Sequence, residues 1–376
     1  MKVCVSVHGR FHAFELAAGL RRRDALANLL TTYPGFAVNR LVETQLPVKA
    51  AWWLELKRRL SQGNLDQVAL ARDFAGFVAR NLPAGADVLV GWSSATLEAI
   101  APARRLGMKV VIERGSTHIA HQTEVLCAAY GDHGLAFDAT PGTMIERETA
   151  EYEAADAIAV PTRFAADTFI ARGIPAEKLL ITPYGVDLAR FQPNPTPMAG
   201  RLPRILFVGR VGIRKGIPEL LHAFAPLSTE AELHLVGPVE PAMTTMFSRL
   251  PMENVRLAGA LGANQLPLKY AGADVFCLPS REEGFPLVLL QAMASGLPIV
   301  TSPEAGAADI ITDGQEGLIV PAGDVGALGD ALAMLIGDAE RRRAMGEAAR
   351  KRVEAGGWDW DDYVGRAVAN YETLLA

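Results

Sequence analysis

A short apolar run, a turn carrying Gly or Pro, and an amphipathic stretch recur in that order along the chain. Examples are "KVCVSVHGRFHAFELAAGL", "DVLVGWSSATLEAI", "RILFVGRVGIRKGIPELLHAF" and "ADVFCLPSREEGFPLVLLQAMASG". Strands alternating with helices imply a parallel sheet covered on both faces. The alternation breaks at Phe191–Arg204, "FQPNPTPMAGRLPR", where four prolines and a glycine can continue neither strand nor helix. A fresh strand begins at Ile205. The expectation is therefore an α/β protein of two Rossmann-like parallel-sheet domains, residues 1–190 and 200–355, with a C-terminal helix over 358–376 packing back onto the first. A chain of 376 residues fits two domains at roughly 150 residues each. Ligands of such sheets sit at the carboxyl ends of the strands, so the two domains are expected to face one cleft.

Composition excludes several classes. Half the residues are hydrophobic and 21% are charged, which suits a globular protein with substantial cores rather than a disordered one. No apolar run reaches the roughly 18 residues of a membrane span, and "MKVCVSVHG" lacks the apolar segment of a signal peptide, so a cytoplasmic protein is expected. Cys4, Cys127 and Cys277 are an odd number without zinc spacing and read as buried free thiols. A net charge of −5 argues against nucleic acid as a partner.

Two stretches carry chemistry. In "GRVGIRKG" the glycines Gly209, Gly212 and Gly216 keep a strand-end turn open while Arg210 and Lys215 project from it. Two cations and free backbone N–H groups suit a diphosphate. The spacing is neither a P-loop nor a dinucleotide fingerprint. In "SREEGFPLVLLQAMASG" the strand ending at Ser280 is followed by a helix expected to begin between Phe285 and Leu287, with Pro286 in its first turn. Its N-terminus offers N–H groups and partial positive charge to an anion. Glu283 lies just outside, where a carboxylate repels phosphate but accepts hydroxyls. Gln291 follows two turns later on the same face. Glu282 reads as a helix-dipole partner. The "DWDD" at Asp359–Asp362 contains an Asp-x-Asp, but it lies in a Trp- and Tyr-rich segment with no strand before it and reads as part of a helix.

These residues carry a resemblance. "SREEGFPLVLLQAMASGLPIVTS", "GRVGIRKG" and "EYEAADAIAVPTRFAADTFIARGIPAEKLLITPYGVDLARF" resemble, in order and spacing, the signatures of retaining glycosyltransferases of family 4 with the GT-B fold. The resemblance spans most of residues 151–320. It implies transfer of a sugar from a nucleotide diphosphate sugar to an acceptor hydroxyl in polysaccharide or glycolipid assembly. No metal and no cofactor beyond that donor are implied. Arg210, Lys215 and the helix start at Phe285, Pro286 and Leu287 would take the diphosphate, with Gly209 opening the turn. Glu283 would hold the donor sugar and Gln291 the ribose. His118, after the strand in "KVVIERGSTHIAHQ", would be the active-site histidine. Gly9 in "HGRFH" stands for a Gly-Gly loop. Gln291 departs from the family's glutamate and Pro286 from its glycine; "EGFP" leans toward a UDP rather than a GDP donor. The acceptor would be a glycan or a lipid-linked group. A nucleotide-sugar epimerase or phosphorylase of the same fold, or a nucleotide-sugar binding protein with impaired catalysis, are the alternatives.

One asymmetry remains. Residues 1–60 hold ten Lys/Arg against four Asp/Glu, a net +6, which leaves −11 for the rest. Within residues 49–62, Trp52 and Trp53 stand beside Lys57, Arg58 and Arg59. Either this helix makes peripheral contact with the inner face of a membrane, or its tryptophans pack on the sheet and its basic side faces water.

Overall fold

The computed structural model describes residues 1–60, 66–194 and 200–376. Part of the Pro-rich stretch (195–199) and Ser61 and Gln62 of the basic segment lie outside the described residues. The N-terminal strands are β1 (Val3–Val7), β2 (Leu26–Thr31), β3 (Val48–Ala50), β4 (Val88–Trp92), β5 (Lys109–Glu113), β6 (Ala157–Val160) and β7 (Leu179–Ile181). Around them run α1 (Ala13–Arg22), α2 (Gly35–Val42), α3 (Trp52–Leu60), α4 (Gln67–Asn81), α5 (Leu97–Arg105), α6 (Ile119–Gly131), α7 (Gly142–Ala154) and α8 (Arg163–Ile170). The second half has β8 (Arg204–Val208), β9 (Glu232–Val236), β10 (Val255–Gly259), β11 (Val275–Leu278), β12 (Ile299–Thr301) and β13 (Gly317–Ile319). Its helices are α9 (Ile217–Phe224), α10 (Pro241–Met246), α11 (Leu266–Ala271), α12 (Leu287–Ala294), α13 (Val325–Gly337), α14 (Ala339–Glu354) and α15 (Trp360–Leu375).

All strand pairs are parallel, in two sheets of order β3-β2-β1-β4-β5-β6-β7 and β10-β9-β8-β11-β12-β13. Every residue of β1, β4, β6 and β11 is buried, which is why these strands read as continuous apolar runs rather than alternating ones. Each sheet reverses its winding once, between β1 and β4 and between β8 and β11. Such reversals open a crevice at the strand ends.

The chain crosses back at its end. Asp359 caps α15 in a reciprocal box with Asp362, so the "DWDD" acids serve a helix start. Asp361 pairs with Arg23 at 2.8 Å, and a Cβ at Gly19 of α1 would come within 2.4 Å of Val364. No helix among the described residues is long and apolar enough to cross a membrane. Cys4 and Cys277 are buried, but Cys127 on α6 is exposed, so the expectation of buried thiols fails for that residue.

Candidate active site

The carboxyl ends of the two sheets meet. The loop after β5 lies against the loop after β11 so closely that a Cβ on Gly284 would fall 2.4 Å from the Gly115 carbonyl oxygen. Only glycine permits that approach. The Thr162 hydroxyl donates to the Gly284 carbonyl at 2.9 Å, and Asp309 accepts the Arg163 N–H at 2.7 Å, capping α8 from the opposite domain.

At the reversal point of the second sheet, β8 is followed by Gly209, whose φ of +153° suits glycine. Arg210 follows, exposed and without an ion pair among the described residues. A single turn over Ile213–Lys215 then leads through left-handed Gly216 into α9. This turn carries the Lys215 ammonium against the carboxylate of Glu283, which leaves the end of β11. Both groups are largely buried. Burial and the neighbouring Arg214 guanidinium pull the Lys215 pKa down, while the contact with Glu283 favours its charged form.

Helix α12 begins at Leu287. Pro286 takes the cap position in extended conformation, one residue earlier than the first-turn place expected, and no side chain caps the helix. No protein acceptor among the described residues takes the N–H of Leu287 or Val288. Lys215 and Glu283 thus meet in space, and Gly209, Arg210, Pro286 and Leu287 lie along the same two strand-to-helix connections, after β8 and β11, on either side of the winding reversal.

Three expected residues sit differently. Phe285 is 5% exposed and packs against Tyr184 and Trp358 at ring distances of 5.3 and 6.3 Å, so its side chain joins the domains. His118 is a buried cap: its Nδ1 accepts the Ala120 N–H at 3.2 Å, and its ring lies between Tyr152 and Phe169. Burial, with Arg172 and Arg114 nearby, pushes its pKa down to about 4. The structure shows a neutral capping histidine in an aromatic setting, one residue from Thr117, which donates to Glu282 at 2.7 Å. The Gln291 carbonyl oxygen already accepts the hydroxyl of buried Tyr270 at 3.0 Å, which leaves chiefly the amide NH2 for a ligand.

Glu282, read from sequence as a helix partner, ties the domains together instead. It is 1% exposed and accepts the hydroxyls of Ser116 and Thr117 at 2.7 Å each and the Gln122 amide at 2.8 Å, while Arg214 pairs with it at 2.8 Å. Burial alone would raise its pKa; the Arg214 charge and the three side-chain donors outweigh that and hold it at about 2. The sequence offered one signal, the adjacent pair Arg214–Lys215 facing the adjacent pair Glu282–Glu283. The partner residues on the other domain were beyond its reach.

The first sheet has its own crevice at the reversal between β1 and β4. A cavity of about 430 Å³ opens there, lined among others by His8, Phe11, Arg58, Trp92, Ser93 and Ser94. Gly9, with φ of +112°, turns the chain beside it and accepts the Thr31 hydroxyl at 3.0 Å. Glu151 of α7 holds the loop after β4 by accepting the N–H groups of Ser94 and Thr96 at 2.7 Å. Trp92 ends β4 and Ser93 and Ser94 follow it in "DVLVGWSSAT", and position at a strand end was the signal that would have marked them.

Residues 190–352, which contain the whole second crevice, match the family Glycosyl transferases group 1. They form a group 1 glycosyltransferase domain. The chain is also 33% identical over 224 residues to the sulfoquinovosyl transferase SQD2 of Arabidopsis thaliana, covering 56% of this chain but only 43% of that relative's length. It is 28% identical over 307 residues, 75% of each chain, to a GDP-mannose-dependent alpha-(1-6)-phosphatidylinositol monomannoside mannosyltransferase of Mycobacterium tuberculosis. The fold matches that of Anabaena HepE, solved in complex with UDP, at a TM-score of 0.73 and 16% identity over 99% of this chain and 100% of that one. The two parallel-sheet domains thus have the GT-B architecture.

Proposed function

We propose that the chain is a retaining glycosyltransferase of family 4 that moves a sugar from a nucleoside diphosphate sugar to a hydroxyl of a glycan or lipid-linked acceptor. The observation that carries this reading is the contact of Lys215 with Glu283 at the strand reversal of the group 1 domain, in the two connections that also hold Arg210 and the uncapped start of α12. Charge grows on the departing diphosphate in the transition state, and fixed cations and N–H dipoles in a dry crevice stabilise it without reorganising. Arg210 and Lys215 supply the charge, the α12 terminus the dipoles. The protein thereby provides the positive groups that a metal ion would otherwise supply. Glu283, drawn to Lys215 in the free protein, exchanges part of that contact for sugar hydroxyls when the donor binds. The cavity at the first sheet's reversal is assigned to the acceptor.

A uridine donor is favoured: HepE is described with UDP, although the mycobacterial relative is named for GDP-mannose. In a thermal-shift panel UDP is expected to raise the melting temperature more than GDP or ADP at equal concentration, because tighter binding to the native state stabilises it more. A larger shift with GDP reverses the donor assignment. Purified protein with UDP-sugar and an acceptor extract should release UDP in proportion to product; failure to cleave any donor defeats the reading.

One observation favours a binding protein that has lost catalysis, namely the engagement of the Gln291 carbonyl by Tyr270. Gln291→Glu decides it. A carboxylate can accept the Tyr270 hydroxyl and ribose hydroxyls together, and charge-assisted bonds are the stronger ones, so donor affinity should rise about tenfold with transfer kept. Weaker binding after the exchange removes Gln291 from the ribose site.

A further inference from the structure

The order β3-β2-β1 sets the carboxyl ends of three strands side by side, and an exposed aromatic follows each. Phe11 follows β1, Phe36 stands in the first turn of α2 after β2, and Trp52 and Trp53 open α3 after β3. Their exposures are 65%, 79%, 56% and 44%, and Leu56 and Leu60 of α3 are exposed as well. The tryptophans do not pack on the sheet. Leu54 does that work, being 2% exposed, while Trp52 meets Trp53 edge-on and Trp53 meets Phe77 of α4. One of the two arrangements open to the sequence is thereby removed.

Basic residues are interleaved with this apolar edge. Lys57 and Arg58 lie on α3, Arg40 on α2 and Lys49 on β3, all exposed, in the segment of net charge +6. Lys57 and Arg58 hold Asp73 and Glu55 in surface pairs, which are weak in water and leave the cations able to meet other anions. Four exposed aromatic rings at one sheet edge mark an interaction surface, and protein interfaces deplete lysine at their apolar centres. A bilayer's headgroup region accepts both at once, aromatic rings at the acyl boundary and cations at the phosphates.

We propose that this edge of the N-terminal domain docks on an anionic lipid surface. Phe11 and Arg58 also line the 430 Å³ cavity, so docking sets the cavity mouth against the headgroups.

The full chain sedimented at low salt with vesicles of phosphatidylglycerol and phosphatidylcholine is expected to pellet, to stay in solution with phosphatidylcholine alone, and to be released by high salt. Trp52→Ser with Leu56→Ser should cut the bound fraction at least tenfold and leave donor hydrolysis in solution unchanged. Protein that stays in the supernatant with anionic vesicles, or a double variant that pellets like the wild type, overturns the proposal. So does a dimer, seen by analytical ultracentrifugation, that the double variant abolishes, since the edge then belongs to a second copy. Donor hydrolysis without vesicle binding defeats docking alone; vesicle binding without donor cleavage leaves docking standing and defeats the transferase reading.

Discussion

Lys215→Ala is expected to lower sugar transfer by about 10²-fold or more, because in the proposed function it removes a charge aimed at the departing diphosphate in a site sheltered from water. The same change leaves the largely buried Glu283 carboxylate with Arg214, at 3.9 Å, as its remaining cation among the described residues, and breaking a buried pair from one side costs up to about 3–5 kcal/mol. A fall in activity alone therefore does not separate catalysis from folding. The double variant Lys215→Met with Glu283→Gln does. Removing both charges relieves the uncompensated burial, so its melting temperature should recover toward wild type while transfer stays low. If transfer recovers together with stability, the pair is structural and the diphosphate lies elsewhere. Glu283→Gln alone should also slow transfer strongly, with a smaller loss of UDP affinity, since this acid is assigned to sugar hydroxyls and not to phosphate.

The fold was legible because both sheets are buried on two faces. Continuous runs such as "VCVSV" and "VFCL" can be little else when turns and amphipathic stretches follow them at βα spacing. The meeting of Lys215 with Glu283 was legible for a related reason: Gly209, Arg210, Lys215 and Glu283 follow strand ends within two βα units, so local sequence order nearly fixes their positions. What was not legible depended on the other domain or on packing around a single side chain. His118 follows a strand as an active-site histidine would, yet whether its ring faces a cleft depends on Tyr152 and Phe169, 34 and 51 residues further along the chain. Phe285 and Glu282 flank Glu283 in sequence, and neither their stacking with Tyr184 nor their bonds to Ser116 and Thr117 can be read from spacing. Long-range pairing of this kind leaves no periodic trace in a chain.

Glu282 gives the second large effect, and its sign follows from protonation. Its carboxyl is held at about 2 against an ordinary 4.5, so the folded protein binds this proton less readily than the unfolded chain does. The resulting stabilisation is fully present above the unfolded value and is lost as pH falls through the folded one; the interval corresponds to roughly 3 kcal/mol. Glu282→Gln removes the charge that Arg214 meets at 2.8 Å while keeping the side chain's shape. At pH 7 the variant should be less stable by about that amount, and the gap should narrow to about half by pH 3, where the wild-type carboxylate begins to protonate. Denaturant midpoints of both proteins at pH 7, 5 and 3 measure it. Because Ser116, Thr117 and Gln122 belong to one domain and Arg214 and Glu282 to the other, the loss should appear as early separation of the domains, seen as hydrogen exchange rising first in the loop after β5 and the loop after β11. A gap that stays constant with pH, or exchange that rises evenly across both sheets, would mean that the carboxylate is not the clasp between them.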